Sequence, residues 1–484
     1  MVSRMSRPLI FQPPRGTRDF LPEELAKRRY AERIVREVFE SYGFKEIQTP
    51  IFEYFDLYAL RSGEKIREDM YVFKGKERER EEGHGVSPEY VLRPELTAPV
   101  CRLFVCGELA KWPRPIKVYY IGQCFRYDRP APGRYREFWQ AGIELLGSPS
   151  PEADAEVIRV GAKTLDALGI TGYKIRIGNL AVLRGILEEN DVGVDLQNKL
   201  IGIIDKAVGN IAKYKAGEVS SESGEVLDEV GILQQLDEAL YDLGIRGSLK
   251  DTIIKMIELR GPREEVLQKA KDVFRNSEKA SKALEVLNTV LSILEDYGVK
   301  DYTVDLSVAR GLDFYTGTVF EFDVPILGAQ SQVCGGGRYD NLIEEFGGPH
   351  TPASGYAFGF DRLVESMIKQ SISFPVTVKT QVIVAPTTDQ MRNEAIRTAE
   401  QLRSQGIKTE TDVSRRPLNE ILSYADRTDI PFMLIVGPKE LKEGKVVLKS
   451  LRERKQESLS ISDAMKRIKK TGRHRDRHAR KTVS

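Results

Sequence analysis

Histidine is scarce in this 484-residue chain: there are four, and His474 and His478 sit in a ragged basic tail, which leaves His84 and His350. A mechanism built on a histidine base or a His-rich metal site has little to draw on. Carboxylates, arginines and a nucleotide are the stronger candidates. Cysteine is as rare. Cys101, Cys106, Cys124 and Cys334 are too scattered for a disulfide framework, and a reducing cytoplasm fits them best. Cys101 and Cys106 could form half of a zinc site, but no second pair or neighbouring histidine completes it. They read as small core residues, and no protein-bound zinc or other metal site is expected. No stretch of about 18 uninterrupted apolar residues occurs, so no membrane span is expected. The opening MVSRMSRPLIFQPPRG lacks the apolar region of a secretory signal. A P-loop ending in Lys-Ser/Thr is also missing, which excludes a Walker-type nucleotide site.

What is present is charge and pattern. Hydrophobic residues make up 41% and charged residues 30% of the chain, enough for a large core in a soluble protein of about three domains. Net charge is +2, unevenly spread: residues 466–484 hold nine Lys/Arg against Asp476. That tail is either solvated disorder or a contact with a polyanion such as RNA. Glu23–Tyr42 predicts an amphipathic helix ended by Gly43, followed by a strand over Phe44–Thr49 that Pro50 stops. Tyr119–Arg126 and Phe138–Leu145 predict two strands around the polar turn Asp128–Arg136. From about 181 to 300 charged helices dominate, Lys282–Tyr297 among them, with a loop at Gly217–Gly224. This block reads as a helical insertion between 1–180 and 301–373. From 376 to 465, strands at Gln381–Ala385, Ile407–Thr411 and Phe432–Val436 alternate with helices at Thr388–Gln405 and Leu418–Asp426. That alternation predicts a small α/β domain with a largely parallel sheet.

Five constellations carry chemistry. In Arg93–Pro99, Glu95 and Thr97 are two apart and would share one face of a strand, where a carboxylate and a hydroxyl suit an α-ammonium group. A capped helix start explains the same residues. In Cys124–Glu144, Arg126, Arg129, Arg134 and Arg136 offer guanidiniums to phosphate, Phe138 offers a ring to a base, and Gln140, Gly142 and Glu144 share one strand face. A solvated charged hairpin is the competing reading, weakened by Phe138, Ile143 and Leu145 around a carboxylate. Arg310-Gly-Leu-Asp-Phe314-Tyr315-Thr-Gly317 lies between strands at Tyr302–Val308 and Thr318–Phe322. In Cys334-Gly-Gly-Gly-Arg-Tyr339-Asp340 consecutive glycines would let backbone approach a ligand, although tight turns use them too. Finally, Gly355–Leu363 leads a glycine-rich strand into a helix whose first turn carries Arg362. A cation opposed by the helix dipole there suggests service to an external phosphate.

Taken in order, these segments resemble a class II aminoacyl-tRNA synthetase: motif 1 in Gly43–Pro50, motif 2 in Phe125–Glu144, motif 3 in Gly355–Leu363. Arg310–Gly317 and Gly335–Asp340 are similar to the two signatures specific to histidyl-tRNA synthetases. The resemblance covers roughly residues 10–180 and 301–465. It implies an α+β catalytic domain with an antiparallel sheet flanked by helices, a helical insertion and a C-terminal α/β anticodon-binding domain. It also implies a homodimer with Pro50 at the interface. The substrates would be L-histidine, ATP with Mg²⁺, and tRNA(His). Arg126 would hold the α-phosphate and Arg362 the γ-phosphate, Arg134 would join the ATP site, and Phe138 would stack on adenine. Glu95, Thr97 and Gln140 would hold the α-amino group. Glu144, Phe314, Tyr315 and Tyr339 would line the imidazole pocket, and Arg310 would stand beside the α-phosphate and substrate carboxylate. Departures are modest. Phe314 stands where a tyrosine is common, Lys74–Glu89 is strongly charged, and residues 181–300 match no family motif. A synthetase for threonine, proline or glycine would share the architecture, whereas a regulatory paralogue would resemble only the catalytic domain, so the C-terminal domain counts against it. The arginine set and the absence of a zinc cluster favour histidine.

Overall fold

The computed structural model describes residues 11–62, 64–75, 88–131, 133–215, 228–308, 314–375 and 380–470. Arg310 and Asp313, the Gly217–Gly224 loop, most of Lys74–Glu89 and most of the basic tail lie outside them. By internal packing the chain forms two units, residues 1–19 with 31–372, and residues 20–30 with 373–484.

Among the described residues, twelve strands belong to the first unit: β1 (Lys45–Glu46), β2 (Phe52–Tyr54), β3 (Val72–Lys74), β4 (Glu89–Leu92), β5 (Ile116–Phe125), β6 (Glu137–Leu146), β7 (Lys174–Asn179), β8 (Arg260–Gly261), β9 (Thr303–Asp305), β10 (Thr318–Asp323), β11 (Gln332–Arg338) and β12 (Ala353–Gly359). Nine of them form one sheet in the order β1-β5-β6-β12-β11-β10-β7-β9-β8. Every pairing from β5 through to β7 is antiparallel, as expected, while β1–β5 and β7–β9 are parallel additions at the flanks. The remaining three strands make a small sheet, β2-β4-β3.

The helices of this unit begin with α1 (Pro22–Ser41), which starts in the second unit and is stopped by Gly43 at φ +81°. They continue as α2 (Asp56–Ser62), α3 (Thr97–Val105), α4 (Pro151–Ala167), α5 (Leu180–Glu189), α6 (Val194–Lys215), α7 (Glu229–Asp242), α8 (Gly247–Glu258), α9 (Arg263–Val273), α10 (Glu278–Asp296), α11 (Leu342–Glu345) and α12 (Phe360–Lys369). Helix α4 packs on β6, β11 and β12, and α10 packs on α4, α5 and β7. The described residues of the block read as an insertion are helical except for β8, which joins the edge of the sheet, and its last helix, α10, is part of the layer that covers the sheet. Phe320 and Phe322 of β10 are fully buried, and Phe322 packs against α4 at Gly161. The layer is driven by burial of apolar area on one sheet face.

In the first unit two expected strands are shorter than read, and in the second Ile407–Thr411 yields only Thr409–Thr411. Phe44–Thr49 yields only Lys45–Glu46, because the Arg93 guanidinium takes the carbonyls of Thr49 (2.7 Å) and Pro50 (2.9 Å). Tyr302–Val308 yields Thr303–Asp305, because the Asp305 carboxylate accepts from Ser307 N at 3.1 Å and Ser307 Oγ at 2.5 Å, turning the chain. Cys101 is a core residue as read, but Cys106, at the exposed end of α3, is not.

The second unit holds β13 (Val382–Pro386), β14 (Thr409–Thr411), β15 (Phe432–Val436), β16 (Lys445–Ser450) and β17 (Lys455–Ser460), with α13 (Arg392–Ser404), α14 (Leu418–Arg427) and α15 (Pro438–Lys442). Its sheet runs β14-β13-β15-β16-β17. The first three strands are parallel through α13 and α14, and the last two are antiparallel. The expectation of a largely parallel sheet therefore holds for half of it. Strand β17 is mostly exposed, so it lacks the apolar alternation that marks a strand in sequence.

Candidate active site

Strands β6, β11 and β12, with the start of α3, enclose a cavity of about 440 Å³. Glu95, Thr97, Arg126, Arg134, Phe138, Gln140, Phe314, Tyr315, Tyr339 and Arg362 all line it. Residues named from five separate stretches of sequence thus meet in one place. Glu144 lies just behind the lining, and Arg310 is outside the described residues. Of the four hairpin arginines, Arg126 and Arg134 reach the cavity. Arg136 is tied back, with its backbone N donating to Gly16 O (2.8 Å) and its Nε to Asp128 O (3.1 Å).

The β5–β6 hairpin sets the floor. Its register places Phe138, Gln140, Gly142 and Glu144 opposite Cys124, Gly122, Tyr120 and Val118. Glu144 is 0% exposed, yet three hydroxyls donate to its carboxylate: Thr97 at 2.8 Å, Tyr120 at 3.0 Å, and Tyr339. Burial pushes its pKa up to about 8, although all three donors favour the charged form. Gly355 on β12 is obligatory beside it, since a Cβ there would stand 1.8 Å from Glu144 Oε2 and 2.5 Å from the Ile143 carbonyl. The glycine run on β11 has the same origin at Gly336. A Cβ there would meet the Gly355 carbonyl at 2.4 Å, so this glycine admits a neighbouring strand rather than a ligand.

Glu95 and Thr97 do not share a strand. Strand β4 ends at Leu92 and α3 begins at Thr97, so the helix-start alternative is the observed one. The Glu95 carboxylate accepts from Thr97 N (2.5 Å) and Ala98 N (3.0 Å), favourable for an anion at a helix N-terminus. Burial still raises its pKa above the usual carboxylate value. Cys124 Sγ donates to Gln140 Oε1 at 3.4 Å, and burial holds that thiol up at about 12, which makes it inert.

The opposite wall is cationic. Arg126 Nε donates to Pro94 O at 3.1 Å, with its guanidinium 5.1 Å from the Phe138 ring centre. Arg134 grips Asp128 in a fork of 2.8 and 2.9 Å. Arg362, in the first turn of α12, donates to Gln330 Oε1 (2.8 Å), Gly133 O (3.3 Å) and Gln332 O. The helix start has its own anion in Asp361, which accepts from Trp139 N at 2.7 Å and pairs with Arg18 at 2.5 Å. In the β11 signature the roles divide by strand alternation. Tyr339 reaches Glu144, while Arg338 is buried on Asp154 (2.8 Å) and Asp340 (3.0 Å) as a structural clamp. The Phe314 ring centre lies 4.7 Å from that of Tyr315, with the rings tilted, and 5.7 Å from that of Tyr339, edge to face, forming an aromatic side to the cavity.

Sequence reasoning missed Tyr120, Gln330 and Gln332. Tyr120 was recoverable, because closing the hairpin on its polar turn pairs it with Gly142, one step from Glu144 on the same face. The two glutamines carry no local signal, since only the β10–β11 turn brings them to Arg362.

An antiparallel sheet backing one cavity, with convergent arginines on one side and buried carboxylates on the other, is the catalytic architecture of a class II aminoacyl-tRNA synthetase. Residues 16–363 match the family described as histidyl-tRNA synthetase, and residues 381–471 match an anticodon binding domain. A histidine–tRNA ligase of Methanococcus maripaludis is 39% identical over 461 residues, covering 94% of this chain and 99% of that one. The crystal structure of histidyl-tRNA synthetase from Nostoc sp. PCC 7120 superposes with a TM-score of 0.71 at 26% identity, covering 96% of this chain and 100% of that one. A Bacillus halodurans protein titled ATP phosphoribosyltransferase regulatory subunit/histidyl-tRNA synthetase shares the fold at 23% identity, with a TM-score of 0.68 over 89% of this chain and 99% of that one. The chain belongs to the histidyl-tRNA synthetase family. It uses ATP to activate histidine and transfers the histidine to tRNA. Among the described residues no helix is long and apolar enough to cross a membrane.

Proposed function

We propose that the cavity holds histidine against Glu144 and the aromatic side, and ATP against the arginines, so that the amino-acid carboxylate meets the α-phosphorus between them. The observation that carries this division is the placement of acidic and basic groups around one cavity: the half-buried Glu95 on its lining and the buried Glu144 just behind it on one side, guanidiniums at Arg126, Arg134 and Arg362 on the other. Glu95, Thr97 and Gln140 take the α-ammonium group. Phe314, Tyr315 and Tyr339 enclose the imidazole, with Glu144 behind them as the acceptor of its N–H. Phe138 stacks on adenine, Arg126 binds the α-phosphate and Arg362 the γ-phosphate. Arg310 supplies positive charge as bonds change at the α-phosphorus, and its neighbour Phe314 at the cavity wall supports that role. Preorganised donors aimed at developing charge, with both reactants aligned, account for most of such a rate.

Mg²⁺ would neutralise the triphosphate. Such a cation needs only one or two protein carboxylates beside phosphate oxygens. Glu95, Asp128 and Asp361 at the cavity are each already engaged by backbone N–H groups or by an arginine, so the phosphates would hold it. A homodimer through the segment after Pro50 is favoured by its exposed apolar side chains, Ile51, Phe52 and Tyr54. Residues 376–465 would read the anticodon of tRNA(His), the basic tail would touch RNA backbone, and the enzyme would work in the cytoplasm. ATP–pyrophosphate exchange across a panel of amino acids tests the site assignment. Exchange with histidine alone is expected, and exchange with threonine, proline or glycine instead would overturn it.

A further inference from the structure

Arg184 sits half-buried on α5, outside the cavity, and its guanidinium joins two parts of the chain. Its Nε donates to the backbone carbonyl of Tyr315 at 3.3 Å. Its Nη1 donates to Gln197 Oε1 at 3.3 Å and its Nη2 to Asn198 Oδ1 at 3.1 Å. Tyr315 lines the cavity, whereas Gln197 and Asn198 stand near the start of α6 in the helical block. Gln197 is not a loose surface group, being 1% exposed with its own amide pinned to Val192 O at 2.9 Å, and Asn198 beside it is half-buried. Helix α5 also holds the next turn of the same segment, since Leu180 N donates to the Gly317 carbonyl at 2.9 Å.

A guanidinium is a rigid planar fork, so its donors move together. Two acceptors on α6 orient the fork, and the third donor then fixes where the Tyr315 carbonyl stands. We infer that Arg184 is a positioning residue that transmits the placement of α6 to the histidine side of the cavity. A displacement of the helical block is then felt as a change in histidine affinity without any contact between that block and histidine. This rests on the reading that Tyr315 belongs to the histidine pocket.

The test uses the full-length enzyme and histidine-dependent pyrophosphate exchange without tRNA. Arg184→Met should raise the KM for histidine roughly two- to ten-fold, the range for losing such hydrogen bonds, and leave the KM for ATP and kcat near those of the parent. Arg184→Lys, which keeps a donor but not the fork, should recover part of the loss. Asn198→Ala, at a residue that does not line the cavity, should shift the histidine KM in the same direction. Combined with Arg184→Met it should add nothing, because both act through one fork. Additive effects, or equal losses for ATP and histidine, would overturn the relay. Tyr315→Ala separates the two layers: if it leaves the histidine KM unchanged, the pocket assignment is wrong. If it raises that KM while Arg184→Met and Asn198→Ala do not, only the relay is wrong.

Discussion

Replacing Glu144 by glutamine exchanges a buried carboxyl for an amide of nearly the same shape, and two consequences follow with opposite signs. The first is on stability. The carboxyl's ordinary value is 4.5, and burial pushes it up to about 8 in the folded protein. Between those values the folded state keeps a proton that the unfolded chain has released, so stability falls as pH rises through that window. The slope is at most about 1.4 kcal/mol per pH unit, and the whole window amounts to on the order of 5 kcal/mol. An amide does not titrate. Ligand-free Glu144→Gln should therefore gain on the parent steadily from pH 5 to pH 8, as measured by urea unfolding of both proteins across that range. The second consequence is on function. Above pH 8, where the parent carboxyl is ionised and three hydroxyls aim at it, a charged acceptor for the imidazole N–H contributes about 1.5–3 kcal/mol, against about 0.5–1.5 kcal/mol from a neutral amide. Measured above pH 8, the KM for histidine should rise roughly 5- to 10-fold while that for ATP stays near its original value. Parallel stability curves for parent and variant would refute the burial argument, and equal losses in the two KM values would refute the histidine assignment.

Arg310→Ala should lower the rate of adenylate formation by roughly 10²–10³, with fold intact and histidine binding weakened less than the rate, because most of the interaction strengthens only in the transition state. Single-turnover measurement decides it, and a rate within a few-fold of the parent would remove Arg310 from the chemistry. Gly355→Ala should abolish histidine use even where the protein still folds. The new Cβ, 1.8 Å from Glu144 Oε2, displaces that carboxylate, and a histidine KM matching the parent's would show that the strands yield. Deleting residues 376–484 should spare histidine-dependent pyrophosphate exchange and cripple tRNA charging, because every cavity residue precedes that segment. Loss of exchange in a truncation that circular dichroism shows to be folded would count against the division.

Much of this protein was determined by sequence alone, for reasons of local physics. Helices such as α1, α10 and α14 follow from apolar spacing, and the β5–β6 hairpin from two apolar runs around a turn that cannot pair. Arg126, Arg134, Phe138 and Arg362 were nameable because phosphate and base demand particular side chains, wherever the fold puts them. Tertiary structure alone decided the rest. Glu95 and Thr97 have a spacing that suits both a strand face and a helix start, and only the end of β4 at Leu92 selects the helix, turning Glu95 into its cap. The glycines at 336 and 355 look like ligand loops in sequence, yet their lack of a side chain answers neighbouring strands and the Glu144 carboxylate. Arg338 and Tyr339 are adjacent in the chain and opposite in role, because the extended backbone at the end of β11 buries Arg338 on Asp154 and turns Tyr339, the residue after the strand, to Glu144. Gln330 and Gln332 meet Arg362 across about thirty residues of chain, and no local pattern encodes a contact that only folding closes.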